Sequence, residues 1–193
     1  LHRRRSTGLL KRRHMVRIGP DMCDGWERLE QVTICAIEKY CIGGGGALAA
    51  ACDFRIVSKT AHFRLPEIPL GMNMSWHAVP RLVSLIGPAR AKRFIIFGEK
   101  VEAEEALAWG LADEIAPDGE TLTRAKDWAA RLAILPPNAV RMSKKSVNAA
   151  ANALHHATTF MDLDQYALAT TSEDYREAIK AFLEKRPPKF TGR

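Results

Sequence analysis

The chain has 193 residues, of which 47% are hydrophobic and 26% are charged, with 13 glycines and 10 prolines. This is the composition of an ordinary globular protein, and it excludes a disordered or fibrous chain. No apolar run approaches the roughly 20 residues that a membrane span needs. The four cysteines include no C-x-x-C pair, which predicts a reduced, intracellular protein without a metal site.

The net charge of +7 is concentrated at the start of the chain. Seven of the 29 basic residues lie in residues 1–17, which contain no acidic residue, so the remainder has 22 basic and 22 acidic groups. Nucleic-acid binding by the neutral remainder is therefore disfavoured, and no aromatic residue is interleaved with the basic ones for stacking on bases. The basic segment is typical either of an organellar transit peptide or of a solvated tail, and we favour the tail. We expect a cytoplasmic protein, with the mitochondrial matrix as the alternative.

The first elements alternate between strands and helices. Residues 25–29 are typical of the end of a short helix, and the apolar, β-branched residues 32–37 predict a buried strand. A run of four glycines then precedes a helix of small residues over 47–52. Short strands are predicted over 54–57 and 61–63. This order of elements is typical of an α/β fold.

The second half of the chain is predicted to be mainly helical. Ser75 is a good N-cap for a helix ending near residue 85, and Gly110 is placed to end a later one. Further helices are predicted over 88–98, 103–109 and 121–135, over 138–170 as one long or broken helix, and from a capping signal at Thr171 onward.

The glycine run at residues 43–46 is the first feature with chemical potential. Four glycines leave backbone N–H groups bare at the start of a helix, where the helix dipole is positive. The run could hold a phosphate or a developing oxyanion, or it could serve only close packing. The P-loop pattern fails because no lysine follows the glycines, and the dinucleotide fingerprint fails at Leu48. Both nucleotide interpretations are therefore excluded.

Glu67 is the second such feature, because it lies among leucine, proline and isoleucine in the segment 65–71. A carboxylate in such surroundings loses hydration, so its pKa rises towards the range of a useful acid or base. The alternative is a solvated glutamate on a loop.

Taken together and in this order, these segments resemble the enoyl-CoA hydratase/isomerase (crotonase) family. The resemblance covers residues 26–193 and is carried by several segments. They are Gly43-Gly44-Gly45 through Ala51-Cys52-Asp53-Phe54-Arg55-Ile56, Phe63-Arg64-Leu65-Pro66-Glu67 with Gly71, Pro80-Arg81-Leu82 with Gly87-Pro88-Ala89-Arg90-Ala91-Lys92, Ala103-Glu104-Glu105-Ala106-Leu107 with Gly110-Leu111, and Ser172-Glu173-Asp174-Tyr175-Arg176 with Phe182-Leu183-Glu184-Lys185-Arg186.

The resemblance implies an α/β fold, a crotonase-like spiral of ββα turns that is incomplete at the N-terminus and is followed by a C-terminal helical region. The implied domains are a basic atypical leader over 1–25, an α/β core over 26–136 and a helical oligomerisation region over 137–193. An acyl-CoA substrate and a homotrimer or hexamer are also implied. No metal or cofactor is expected beyond the coenzyme A of the substrate itself.

The resemblance also assigns roles to residues. The middle glycine of the family's turn, here Gly44, supplies one backbone N–H of an oxyanion hole, and Gly43 lies beside it in the substrate pocket. Glu67 falls on the family's second catalytic carboxylate and is implied to transfer a proton at the α or γ carbon of an enoyl thioester. Met72 and Trp76 are expected to shorten or reshape the acyl pocket. His77 is either a second acid/base group in the pocket or an ordinary helix residue.

Two departures from the family pattern affect the implied activity. Hydratases of the family carry a first glutamate where this chain has Ala47, whose methyl group cannot transfer a proton. This substitution favours an isomerase-like, single-carboxylate reaction over hydration. The family normally has several upstream strands and a loop that supplies the second N–H of the oxyanion hole. We expect residues 1–25 to contain no counterpart of either. A non-catalytic protein that binds CoA thioesters, or only assembles, is therefore the alternative.

Overall fold

The computed structural model describes residues 8–193, so the first arginines of the basic leader, at residues 3–5, lie outside the described residues. Six short strands in this part of the chain form two three-stranded sheets. They are β1 (Ile34–Ile37), β2 (Tyr40–Ile42), β3 (Phe54–Ser58), β4 (His62–Arg64), β5 (Val101–Glu102) and β6 (Glu114–Ala116). One sheet has the order β1-β3-β6 and is parallel, and the other has the order β2-β4-β5, in which only β5 is antiparallel.

The described residues also form nine α-helices. They are α1 (Leu9–Glu27), α2 (Gly44–Ala51), α3 (Ala78–Lys92), α4 (Ala103–Trp109), α5 (Thr121–Ala133), α6 (Pro137–Ala151), α7 (His155–Thr159), α8 (Asp162–Ala169) and α9 (Glu173–Glu184). None of the helices within residues 8–193 is long and apolar enough to cross a bilayer.

The chain repeats a strand–strand–helix unit along the two sheets. Strands β1 and β2 are followed by α2, and strands β3 and β4 are followed by α3. Because β3 pairs with β1 and β4 pairs with β2, both in parallel, the second unit stacks directly on the first. The predicted α/β class and its ββα repeat are therefore confirmed.

Helix α2 is built from small residues and lies in the core. Ala47 and Ala49 have at most 1% of their surface exposed. The buried guanidinium of Arg55, on β3, donates to the carbonyl oxygens of Ala49 and Cys52 at 3.3 and 2.8 Å. These bonds supply a side-chain donor to carbonyls at the C-terminal end of α2, where Ala49 also accepts from the N–H of Cys52 at 3.3 Å. They fix α2, and with it the glycine turn at its start, against β3.

Helix α1 occupies most of the segment predicted to be an atypical leader. It packs against α2 and α8, and Gly19 and Pro20 are buried. The end of a helix predicted near residues 25–29 is confirmed by the end of α1 at Glu27. The domain boundaries at residues 25 and 136 stay predictions.

The helices of the second half of the chain differ from the predicted ones mainly at their first residues. Ser75 does not cap a helix, because its hydroxyl donates to Asp162 at 2.9 Å and α3 begins only at Ala78. The region 138–170, predicted as one long or broken helix, is broken into α6, α7 and α8. Helix α9 is capped by Ser172 rather than Thr171, since Ser172 Oγ accepts from the N–H of Tyr175 at 3.0 Å.

Candidate active site

The glycine turn enters α2 with a backbone conformation that favours glycine. Gly43 has φ 56° and ψ −121°, a region that other residues rarely occupy. Its N–H donates to the carbonyl oxygen of Arg64 at 2.9 Å, which ties the turn to the end of β4. Gly44 is the first residue of α2, and the N–H groups of a first helical turn have no acceptor within the helix. The turn therefore presents donors at the positive end of the helix dipole.

Glu67 lies in the loop after β4, and its carboxylate reaches the glycine turn. A Cβ built on Gly43 would lie 2.9 Å from Glu67 Oε1, so the approach depends on the missing side chain at residue 43. Glu67 Oε2 is buried and has no hydrogen-bond partner among the described residues. Burial raises the pKa of Glu67 and outweighs the opposing hydrogen bond from its own backbone. A carboxylate oxygen that is buried without a hydrogen-bond partner is rare and is typical of functional sites.

A cavity of about 170 Å³ lies between the glycine turn and Glu67. It is lined by Gly44, Glu67, Met72, Asn73, Met74, Ser75, Trp76 and Tyr166. Glu67 is the one carboxylate among these lining residues. Asn73 Oδ1 is a second buried oxygen without a hydrogen-bond partner in the described part of the chain. The same small cavity is thus lined by an acid with a raised pKa, Glu67, by the unpaired amide oxygen of Asn73 and by the first residue of α2.

The indole of Trp76 forms one wall of this cavity. A Cβ built on Gly44 would lie 2.5 Å from Cη2 of the ring, and one built on Gly19 would lie 2.1 Å from Cε2. The ring is therefore wedged between the backbones of α1 and α2, at two positions where only glycine leaves room.

The structure brings together four of the seven residues predicted for the site. The cavity is lined by Gly44, Glu67, Met72 and Trp76. Gly43 lies beside the carboxylate of Glu67 but does not line the cavity. Ala47 is fully buried in α2 and does not line the cavity.

His77 also lies outside the Glu67 cavity. Its Nδ1 is 3.0 Å from Asp24 Oδ1, and its side chain lines a separate cavity of about 500 Å³ beside α1. The geometry pairs His77 with α1 and not with Glu67.

Four further residues line the cavity that were not among those predicted for the site: Asn73, Met74, Ser75 and Tyr166. The first three belong to the irregular segment between Gly71 and α3, which the sequence predicted to be partly helical. Tyr166 comes from α8, about a hundred residues after Glu67, and no local pattern places a helix face of the C-terminal region beside the glycine turn.

Comparison with known proteins places the chain in a family. The family model described as Enoyl-CoA hydratase/isomerase matches residues 10–193. This match begins within α1, so the expectation that residues 1–25 lie outside the family pattern is wrong for residues 10–25. Crotonyl-CoA hydratase of Syntrophomonas wolfei is 33% identical over 164 residues, which cover 85% of this chain and 63% of that protein. A probable enoyl-CoA hydratase of Mycobacterium tuberculosis is 36% identical over 171 residues, covering 87% and 66%.

Solved structures give the same result. A carnitinyl-CoA hydratase from Mycobacterium avium is 31% identical with a TM-score of 0.81, covering 88% of this chain and 67% of that one. An enoyl-CoA hydratase from Mycobacterium avium subsp. paratuberculosis is 26% identical with a TM-score of 0.88, covering 93% and 73%. The chain spans less than two thirds of the length of the two curated relatives named above. The fold, the matched segments and the family model together assign this chain to the enoyl-CoA hydratase/isomerase family.

Proposed function

We propose that this chain carries the proton-transfer site of an acyl-CoA enzyme. It acts on an enoyl-CoA thioester through an enolate whose oxygen is held in an oxyanion hole. The observation that carries the proposal is the carboxylate of Glu67 beside the glycine turn that begins α2, with its Oε2 buried and without a hydrogen-bond partner among the described residues. Coenzyme A enters as part of the substrate, and the proposal requires no other cofactor.

Glu67 is the proposed acid/base group. Its ionised carboxylate removes a proton from C2 of a 3-enoyl thioester, and the C–H electron pair moves into a dienolate whose negative charge rests on the thioester oxygen. The carboxylic acid then returns the proton to C4, the double bond moves to C2–C3, and the oxygen loses its charge. A pKa raised by burial suits this role, because general acid–base catalysis is most efficient when the pKa lies near the operating pH.

Gly44 is the proposed donor to the enolate oxygen. Its N–H lies in the first turn of α2, where the helix supplies no acceptor and the dipole favours negative charge. Removing one such donor typically reduces the rate about 10²- to 10³-fold.

Ala47 and the single carboxylate of the cavity favour isomerisation over hydration. Addition of water needs one group to activate the water and another to handle the proton on carbon, whereas moving a double bond needs only proton removal and return. Glu67 is the one carboxylate lining the cavity, and Ala47, at the position of the family's first glutamate, has only a methyl group that is buried in α2. The relatives named above are hydratases, and the ratio of isomerised to hydrated product distinguishes this chain from them if the preference holds.

Product analysis tests the proposal. The chain is incubated with trans-3-hexenoyl-CoA and with crotonyl-CoA, and the products are separated by chromatography. We expect conversion of the 3-enoyl to the 2-enoyl thioester, with little 3-hydroxyacyl product. Glu67→Gln should reduce conversion at least about 10²-fold. Glu99→Gln, an exposed position paired with Arg93 at 3.4 Å, is the matched control and should retain full activity.

A non-catalytic role is the second candidate, and the position of Trp76 favours it. The indole lies against Gly44, next to the donor that an enolate would use. In that case the chain binds CoA thioesters without turning them over. Binding of butyryl-CoA by calorimetry, together with no product from either enoyl thioester, would support this second function against the first.

We also propose that the C-terminal helices assemble the chain into a homotrimer or hexamer. The support is a set of large apolar side chains exposed in the region from α6 to α9. They include Met142, Leu154, Leu168 and Phe182, each more than 60% exposed. Apolar exposure on this scale is typical of protein interfaces. Light scattering coupled to gel filtration should give a mass of three or six chains, and a monomeric mass would contradict the assembly.

A further inference from the structure

Trp76 and His77 share an unusual backbone conformation. Both have positive φ values, 63° and 54°, and only one other described residue that is not glycine does so. Side chains with a Cβ rarely occupy this left-handed region, and two in succession persist only where the surroundings hold them.

A buried carboxylate on α8 holds the segment from one side. Asp162 is only 5% exposed. Its Oδ2 accepts from the hydroxyl of Ser75 at 2.9 Å and from the backbone N–H of His77 at 3.2 Å. These two bonds bracket Trp76 in sequence, so they fix the direction in which its side chain leaves the backbone.

A buried arginine holds the same segment from the other side. Arg81 is 4% exposed, and its Nη1 donates to the carbonyl oxygens of Trp76 and His77 at 3.4 and 3.1 Å. Arg81 is itself held by carboxylates of α1, since its Nε donates to Glu27 at 2.8 Å and its Nη2 donates to Asp24 at 2.9 Å. The backbone of this dipeptide is therefore held by α8 directly and by α1 through Arg81 of α3.

The hydrogen bonds of Asp162 and Arg81 determine where the indole ring of Trp76 lies. With the backbone held on both sides, the indole of Trp76 fits between Gly19 and Gly44 and forms a wall of the Glu67 cavity. The cavity has a volume of only about 170 Å³. With an ordinary helical conformation at residues 76 and 77, the indole would point in another direction and would not line the Glu67 cavity.

We propose that Asp162 and Arg81 are positioning residues that hold Trp76 in its left-handed conformation, and that Trp76 thereby restricts the acyl group of the substrate to a short chain. The inference rests on the proposed function, because it takes the Glu67 cavity to be the site of the acyl group. Neither Asp162 nor Arg81 lines that cavity, so they act through the backbone of Trp76 and not by touching the substrate.

The test compares two saturated thioesters, butyryl-CoA and octanoyl-CoA, whose binding is measured by calorimetry and does not depend on turnover. We expect wild type to bind butyryl-CoA more tightly. Trp76→Ala should shift the ratio of the two dissociation constants towards octanoyl-CoA by at least about tenfold, since a single methylene in an apolar pocket is worth about 10- to 200-fold. Should Trp76→Ala fail to fold by circular dichroism, Trp76→Phe provides the same comparison with a smaller shift in the same direction.

The positioning role is tested by Asp162→Asn, which keeps the volume of the side chain but weakens the bonds from Ser75 and His77. It should shift the chain-length ratio in the same direction as Trp76→Ala, which a change in stability alone would not do. Asp164→Asn is the matched control on α8, because Asp164 is 58% exposed and pairs only with Arg13 in the described structure. It should leave the ratio unchanged.

Three outcomes overturn the inference in distinguishable ways. If wild type binds neither thioester, the proposed function fails and the inference fails with it. If wild type and Trp76→Ala bind butyryl-CoA but have the same chain-length ratio, Trp76 does not limit the acyl group, while the proposed function stands. If only Trp76→Ala shifts the ratio and Asp162→Asn does not, the positioning role of Asp162 is wrong.

Discussion

The carboxylate of Glu67 approaches Gly43 so closely that a Cβ at residue 43 would lie 2.9 Å from Oε1. The acid and the turn that carries the proposed oxyanion donor therefore share one packed contact, made possible by a glycine with φ 56°. This contact links the geometry of α2 to the environment of the acid, and a change on either side should affect both.

Gly43→Ala should reduce both stability and activity. The added methyl group meets Glu67, and the left-handed φ is unfavourable for alanine, so we expect a loss of about 1–3 kcal/mol in the free energy of unfolding. Gly45→Ala is the matched control, because its Cβ would meet only Cys41 Sγ, at 4.0 Å, and alanine is the better helix former. Chemical denaturation checks both variants, and equal stability of the two would contradict the close contact.

Glu67→Gln should make the protein more stable at neutral pH although it removes activity. The pKa of Glu67 is raised by burial, so the folded state holds this proton at pH values where the unfolded chain has released it. The stabilisation from the protonated acid is complete below the unfolded pKa of 4.5 and is lost as the pH rises through the folded pKa. Glutamine imitates the protonated acid at every pH.

Thermal melts of wild type and Glu67→Gln between pH 4 and pH 8 measure this difference. The advantage of the variant should be smallest at pH 4, should grow as the pH rises and should then level off. Parallel melting temperatures across the whole range would mean that Glu67 titrates as it does in the unfolded chain.

The rate of proton transfer should also report the raised pKa. Removal of a proton from carbon needs the ionised carboxylate, so kcat/KM for the 3-enoyl thioester should fall on the acid side of the profile. We expect this limb to lie above pH 4.5, the ordinary value for a glutamate, because burial raises the pKa of Glu67. A limb at or below pH 4.5 would assign the titration to a solvated group.

Asp24→Asn should destabilise the protein at neutral pH and much less in acid. Burial alone would raise the pKa of Asp24, but hydrogen bonds from His77 and Arg81 outweigh it and lower the pKa from 3.8 to about 2. The stability that Asp24 contributes is therefore present above pH 3.8 and is lost as the pH falls through 2. The shift corresponds to a loss on the order of 2 kcal/mol at pH 7.

The matched control for this variant is Asp21→Asn, one turn earlier on α1. Asp21 is 58% exposed and pairs with Arg17 at 3.7 Å, a surface contact worth little. Denaturation at pH 7 should separate the two variants, and an equal effect of both would argue against the buried network around Arg81.

The glycine turn and Glu67 could be predicted from the sequence because their signals are local. A run of glycines before small residues, and a glutamate among prolines and aliphatic residues, each require only neighbouring positions. The end of α4 at Gly110, with φ 83°, was predicted for the same reason. Strand β5 has only two residues, too few for any alternation, so neither it nor its pairing with β4 could be found.

The wall of the site could not be predicted, because long-range contacts determine it. Ser75 has the side chain of a good N-cap, but a buried carboxylate 87 positions later takes its hydroxyl and the helix begins three residues downstream. The direction of Trp76 depends on Arg81 and on the carboxylates of α1 that hold it. Arg81 lies only five residues after Trp76, but a local pattern contains none of the carboxylates of α1 and α8 that complete the network.

Exchange of the α-protons of butyryl-CoA in D₂O, followed by proton NMR, directly measures whether Glu67 removes a proton from carbon. It measures proton removal at carbon, and neither water addition nor a double bond is needed. We expect wild type to exchange these protons well above the buffer rate, and we expect Glu67→Gln, but not Glu99→Gln, to slow the exchange at least about 10²-fold. Exchange by Glu67→Gln as fast as wild type, or no exchange by wild type above buffer, would contradict the proposed role of Glu67.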